Sequence, residues 1–299
     1  MELYQLRTFV AVAREGRLTK AAETLFTSQP AVSAHIKALE DEFGLKLFKR
    51  SAAGMTPTSA GEVLWEEAER LLNTSRDLSA RAASLKGEIS GRLRLGFNNG
   101  GGSRRSAELI SHIAEKYPQL TFDVIYGNSG ALLQAVQSRD LDGSFYEGTC
   151  EDKSIETLHL AHFNLVVIMP SEWKKELKRP DWSRLAAKPW VFVSPSCSYA
   201  RFLDSITNEH DLHPQARFHV DDDRTALGLV ATGQALTLTT VEALHAHGFG
   251  ENEAVTIWPH FQHKLPLSLC YLSNRRDDPA ILALSAAART IWQTDDTEA

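Results

Sequence analysis

Cysteine is scarce in this chain. Cys150, Cys197 and Cys270 lie far apart among 299 residues, an odd and scattered set that excludes a disulfide framework and leaves the thiols reduced. Long apolar runs are missing too. Hydrophobic residues make up 43% and charged residues 23%, ordinary globular usage, but no stretch approaches the roughly 20 apolar residues of a spanning helix. A secretory leader is also missing, because "MELYQLRTF" is charged and amphipathic, so a cytoplasmic protein without membrane contact is expected. The sequence holds no G-x-S-x-G elbow, phosphate-binding glycine loop or paired metal signature, which excludes the commonest enzyme chemistries. The pairs His245/His247 and His260/His263 lack cysteine or carboxylate partners at ligand spacing. The run Asp221 to Asp223 opens a helical segment, where the helix dipole stabilises negative charge without a metal. No catalytic residue, metal or cofactor is expected.

An overall excess of positive charge is lacking as well. The net charge is −6, but residues 1–60 hold 8 Lys and Arg against 6 Asp and Glu, a local +2 that leaves −8 to the remainder. The sign changes where a domain boundary is expected. At 299 residues the chain also exceeds what one core usually holds.

Within the basic unit stands "TSQPAVSAHIKALEDEFG". Ser28 is a good N-cap, Pro30 is tolerated in the first turn, and Gly44 is placed to end the helix. Val32, Ile36, Leu39 and Phe43 form one buried stripe. The outward positions Pro30, Ser33, Ala34 and Lys37, with Gln29 and His35 nearby, are mostly small or hydroxylated. Such a face suits base edges and phosphates in a DNA major groove; on this stretch alone, an ordinary surface helix is the competing reading. The flanks bear on the choice. Leu6, Phe9, Val10 and Ala13 form an earlier stripe ended by Gly16, Thr19 is placed to cap a second short helix, and only Thr27 and Ser28 separate that from the third. Helices joined so tightly cross steeply, as in a helix-turn-helix. "LKLFKR" and "GMTPTSAG" then read as a basic wing, with Lys46, Lys49 and Arg50 within reach of phosphates.

Residues 1–61 resemble the winged helix-turn-helix of the LysR-type transcriptional regulators. The segments "QLRTFVAVAREGRLTKAA", "SQPAVSAHIKALE", "LFKR" and "TSAG" match that family in order and spacing. The resemblance puts Ser28, Gln29, Pro30, Ser33 and Lys37 at groove-facing positions, and Lys49, Arg50 and Thr58 in or beside the wing. Ala34 and His35 depart from the basic residue and glutamine frequent there, which bears on the base steps read; His35 is kept as a candidate contact. Double-stranded promoter DNA is the implied partner, with RNA polymerase a further one.

From Ser59 to Lys86 there is no proline and one glycine, Gly61. Leu64, Ala68, Leu71, Ser75, Leu78, Ala82 and Leu85 follow a heptad seam suited to a partner helix. The same resemblance extends over this linker, residues 62–87, which in the family dimerises the DNA-binding units, so a homodimer or homotetramer is expected.

Beyond "GEISG", strand-like runs ("RLRLGF", "TFDVIYG", "LDGSFYE", "NLVVIMP", "WVFVSP", "ARFHV", "ALTLTT", "LSLCYL") alternate with helical ones near 103–117, 129–138, 199–210, 222–232 and 280–293. Alternation of this kind predicts α/β units on mainly parallel sheets, with ligands at the C-terminal strand ends. There lie the polar loops "NNGGGS", "GNSG" and "SPSCSY". Each alone reads as a turn and helix cap; three together point to a cleft. Residues 88–299 resemble the family's effector domain, two periplasmic-binding-protein-like halves at about 92–161 with 268–299 and at about 162–267. The resemblance implies effector contacts from Asn98, Asn99, Gly100, Ser103, Asn128, Ser129, Ser196, Cys197, Ser198 and Tyr199. Gly100 departs, since many members carry a hydroxyl residue there. A small polar or anionic effector is expected to favour closure of the halves. The fold class is therefore multidomain: a mainly helical winged helix-turn-helix, a long linker helix, and an α/β domain of two subdomains. Three alternatives stay open: a redox sensor acting through Cys197, a solute-binding protein and an enzyme.

Overall fold

The computed structural model describes residues 1–51, 54–84, 89–250 and 253–293. The chain divides into two units, Met1–Ala82 and Ala83–Ala299.

In the first unit, α1 (Leu3–Glu15), α2 (Leu18–Thr24) and α3 (Gln29–Phe43) precede a two-stranded antiparallel wing, β1 (Phe48–Ser51) and β2 (Gly54–Pro57), and α4 (Ser59–Ser84) follows. Gly16 and Gly44 end α1 and α3 with φ of 65° and 66°, left-handed values that a side chain resists. The Ser28 hydroxyl accepts the Ala31 N–H at 3.4 Å and so starts α3. Thr19 does not cap α2: the helix begins a residue earlier, with Arg17 at the N-cap. Leu6, Phe9, Val12, Val32, Ile36 and Leu39 are buried together with Leu47 and Met55 of the wing. That core consumes the apolar stripe of α3.

The seam of α4 divides. Ala68 is buried in the same core, Leu64 packs against it beside Trp65, and Leu72 joins them. The Arg14 guanidinium holds Glu69 at 2.7 Å, and the Trp65 indole N–H donates to the same carboxylate at 2.9 Å. The first half of the seam therefore serves its own domain, contrary to the expectation that all of it faces a partner. Leu71 and Leu78 stand 41% and 72% exposed, and Leu85 lies outside the described residues.

The second unit carries the strands β3 (Gly91–Asn98), β4 (Leu120–Gly127), β5 (Gly143–Glu147), β6 (Ile155–Pro170), β7 (Pro189–Phe192), β8 (Gln215–His219), β9 (Thr237–Thr240) and β10 (Val255–Leu272). Its helices are α5 (Ser106–Lys116), α6 (Ser129–Gln137), α7 (Trp182–Ala186), α8 (Ser198–Glu209), α9 (Asp223–Ala231), α10 (Val241–Ala246) and α11 (Pro279–Gln293). Six strands form one sheet in the order β4-β3-β5-β10-β6-β9, and β7 pairs with β8. The sheet is mixed rather than mainly parallel. β3 runs parallel to β4 and β5, whereas β10 is antiparallel to β5 and β6, and β6 is antiparallel to β9.

The reason is that β6 and β10, at 16 and 18 residues, run from one half into the other and pair along most of their length. Each end of that ladder has its own core. Leu93, Leu95, Phe97 and Phe145 pack under α5 and α11 at one end, and Leu165, Val167, Trp190, Leu203 and Trp258 at the other. The strand ends of both halves meet at the loops that follow β3, β4, β7 and β8.

Candidate functional site

The outward face of the first turns of α3 carries mostly small side chains, with Gln29 and one lysine. Ser28, Gln29, Pro30 and Lys37 are exposed and Ser33 is half-buried. Arg50 reaches from the wing to within 3.4 Å of the Ser33 hydroxyl, and Lys49 beside it is exposed. Three residues expected at this surface are engaged elsewhere. His35 turns toward α1, where Nδ1 meets the Thr8 hydroxyl at 3.0 Å and the ring stands edge-on to Tyr4. Thr58 donates to the Lys46 carbonyl at 2.7 Å and accepts the Gly61 N–H, which makes it the cap of α4. Lys46 pairs with Glu40 at 2.7 Å, and Glu40 also accepts the Leu47 and Phe48 N–H groups, so its carboxyl is held below the ordinary range despite its burial. Phe26 was not anticipated. It stands 98% exposed in the turn before α3, in a left-handed conformation.

In the second unit, the loops after β3, β4 and β7 converge. Asn98, Asn99, Gly100, Asn128, Ser129, Cys197, Ser198 and Tyr199 line one small cavity of about 20 Å³. Ser103 and Ser196 stand aside. The Ser103 hydroxyl donates to the Gly100 carbonyl at 2.8 Å, and Ser196 donates to Asn128 at 3.1 Å while its carbonyl accepts the Gly130 N–H at 3.0 Å. Ser196 thus fastens one half to the other. Further bonds cross the cleft in the same way: Tyr199 donates to Glu147 at 2.5 Å, and Asn128 donates to Ser194 at 3.4 Å. The two halves are closed on each other.

Five lining residues were missed: Gly127, Val193 and the three acids Glu147, Asp221 and Asp223. Glu147, fully buried, ends β5, the kind of position at which α/β sheets bind ligands. Asp222 does cap α9, accepting the Thr225 N–H at 2.8 Å, but its neighbour Asp223 faces the cavity. Gly100 sits against these acids. A Cβ on it would lie 3.0 Å from Glu147 Oε1, 3.0 Å from the Tyr199 hydroxyl and 3.2 Å from Asp223 Oδ2, so the three oxygens ring one spot that a larger residue would invade. Among the described residues, none that lines the cavity is basic. That composition runs against the anionic half of the expected ligand, because another negative charge would enter beside three carboxylates.

Burial raises the Asp223 carboxyl to about 6, against a bond from Thr239 that lowers it. Tyr199 is pushed well above its ordinary value by burial, with Glu147 beside it. Burial also lifts the Cys197 thiol to about 12. A thiol so held is mostly protonated at neutral pH, which counts against a redox sensor at Cys197.

The Asp223 environment has a stability consequence. A carboxyl raised in the folded state stabilises the fold most below its unfolded value, and that contribution is lost as pH climbs through the folded value. Between pH 3.8 and about 6, ionisation of Asp223 therefore costs up to about 3 kcal/mol. Urea unfolding of Asp223→Asn alongside the parent is expected to give a stability difference that grows in favour of the variant up to about pH 6. A pH-independent difference contradicts the burial of this carboxyl.

A helix-turn-helix with a recognition face of mostly small side chains, followed by a two-lobed α/β unit closed on a polar cavity, defines a ligand-regulated DNA-binding protein. The model of the bacterial regulatory helix-turn-helix protein of the lysR family matches residues 3–62, and that of the LysR substrate binding domain matches residues 86–293. The chain belongs to the LysR family of transcriptional regulators. The HTH-type transcriptional regulator TdfR of Cupriavidus pinatubonensis is 30% identical over 298 residues, covering 97% of this chain and 98% of its own. CysL of Bacillus subtilis is 27% identical over 243 residues, 80% of each chain. Among solved structures, a full-length OxyR variant from Pseudomonas aeruginosa shares the fold with a TM-score of 0.70 at 20% identity, over 98% of this chain and 97% of its own. Full-length CbnR complexed with its target DNA gives 0.68 at 20% identity, over 97% and 100%. Among the described residues no helix is long and apolar enough to cross a membrane.

Proposed function

We propose that the chain is a cytoplasmic, non-enzymatic, homo-oligomeric regulator in which residues 1–61 read promoter DNA, 62–87 join two copies, and 88–299 sense a small molecule. The halves of the sensing domain are 92–161 with 268–299, and 162–267. Ser28, Gln29, Pro30, Ser33 and Lys37 of α3 approach base edges and nearby phosphates, and Lys49 and Arg50 neutralise phosphates beside the groove. The effector enters between the halves, against Asn98, Asn99, Gly100, Asn128, Ser129, Cys197, Ser198 and Tyr199. By favouring the closed arrangement it alters the spacing of the DNA-binding units, and through them the access of RNA polymerase.

One observation carries the DNA reading: α3 spends its apolar stripe on its own core and leaves a face of small polar residues with one lysine. Replacing Lys37, which is exposed, leaves folding nearly untouched. Lys37→Ala is expected to weaken operator binding by about 1–3 kcal/mol if the ammonium meets a base edge. Gel-shift titration checks this; equal affinities of variant and parent remove Lys37 from the interface.

A further inference from the structure

We propose that the cleft recognises an alkylammonium group, so that the effector is a small amine rather than a carboxylate. The inference rests on the reading of this cavity as the effector site and assigns the charge of its ligand.

The lining supplies acceptors and negative charge. Glu147, Asp221 and Asp223 border the cavity together with Tyr199, and among the described residues no lysine, arginine or histidine lines it. Two further observations are independent of the acids. Asn98 is 5% exposed, and its side-chain carbonyl oxygen accepts no hydrogen bond within the protein; Ser198 is 2% exposed, and its hydroxyl is likewise unpartnered. Both residues line the same cavity. A buried carbonyl without a donor is costly, and an incoming N–H relieves that cost. An ammonium presents three N–H donors and no acceptor, which matches a wall of carboxylate, carbonyl and hydroxyl oxygens.

At each helix start beside the cavity, one of the N–H groups that an anion would use is already taken. Asn128 accepts the Ala131 N–H at the head of α6, Asp222 accepts the Thr225 N–H at the head of α9, and the Cys197 carbonyl accepts the Ala200 N–H in the first turn of α8. Size separates the cations. The free space is small, about 20 Å³, and suits a compact terminal ammonium better than a broader planar guanidinium. A metal ion is the other small cation, but among the described residues no group of three or more His, Cys, Asp or Glu is arranged to hold one. The raised carboxyl of Asp223 adds a signature. A bound cation favours its ionised form, so binding near pH 6 releases a proton.

Three four-carbon probes that differ only in their ends test the assignment on the full-length protein by isothermal titration calorimetry near neutral pH. They are 1,4-diaminobutane, 1,4-butanediol and succinate. The diamine is expected to bind at least about tenfold more tightly than the diol, with succinate weakest. Glu147→Gln and Asp223→Asn, whose folding is followed by thermal melts, are each expected to weaken the diamine about tenfold. A preference for succinate or the diol overturns the proposal, as does the absence of binding heat from the diamine at about 10 mM, a level that fills any millimolar site. Ser198→Trp, which fills the cavity, separates the two levels of inference. If succinate binds the parent and this variant does not bind it, the cleft stands and the ammonium falls. If the diamine binds parent and variant alike, its site lies outside the cleft and both readings fall.

Discussion

Aspartate at Leu78 is expected to break the assembly while leaving the single chain folded. Leu78 is 72% exposed in the isolated chain, so a carboxylate there meets only water until a partner helix covers it. Once covered, it is an unpaired buried charge, a state that costs several kcal/mol. Leu71, 41% exposed, sits two turns earlier on the same seam and behaves alike. The isolated winged helix is only weakly basic, and linking two of them raises operator affinity by roughly 10²- to 10⁴-fold through effective concentration. Sedimentation of Leu78→Asp is expected to show a smaller assembly, and its operator affinity to fall by that factor. An unchanged mass with unchanged affinity would mean that the second half of α4 has no partner helix. Aspartate at Leu64 or Ala68 would not serve, because those side chains pack in their own domain, and loss of binding would report unfolding.

The second large effect concerns Asp142, which is not among the residues lining the cavity. Its carboxylate accepts two bonds from the Arg94 guanidinium, at 2.8 and 3.1 Å, and the Arg94 backbone N–H at 2.7 Å. Arg275 reaches it from the other side at 2.5 Å and also holds Asp278 at 2.7 Å. Asp142 and Arg275 are 3% and 8% exposed. The two arginines hold the Asp142 carboxyl below its ordinary range in spite of its burial. The cluster ties β3, the turn before β5 and the segment after β10, which come from distant parts of the chain. Asp142→Ala removes the counter-charge the two arginines share, and breaking a buried pair costs about 3–5 kcal/mol. Calorimetric melting of the variant is expected to show that loss in the second unit. A change below about 1 kcal/mol, the range of a surface pair, contradicts the account of this network.

Much of the first unit was legible because its signals are local. A serine cap, a proline in the first turn and a terminal glycine bracket α3 within a single helix. The direction of His35 was not, since position along a helix gives the face within a turn but not whether Thr8 and Tyr4 of another helix capture the ring. The divided seam of α4 has a geometric cause. A straight helix drifts only about 20° per heptad from a strict 3.5-residue repeat, so over two heptads an inward stripe and a partner seam read alike. Leu64 and Ala68 fall in that overlap.

In the second unit the strands were visible as apolar runs, but the length of β6 and β10 was not. The middle of β6 carries exposed histidines, and that of β10 exposed histidines, glutamine and lysine, as they pass between the halves. Helix α10, at six residues, is too short to show a period. The cleft loops stood out by their glycine, serine and asparagine content. Glu147 and Asp223 did not, since one ends an apolar strand and the other sits in a helix-capping run. Their shared cavity arises from tertiary contact alone.

The claim that matters most is that effector binding and DNA binding reside in separate places and communicate. Ser198 is 2% exposed on the cavity wall and more than a hundred residues along the chain from α3. Paired titrations on Ser198→Trp test the claim directly, with effector followed by calorimetry and operator by fluorescence anisotropy on one preparation. The expected result is parental affinity for operator, no measurable affinity for effector, and no effector-induced change on DNA. Retained effector affinity in this variant would contradict the account.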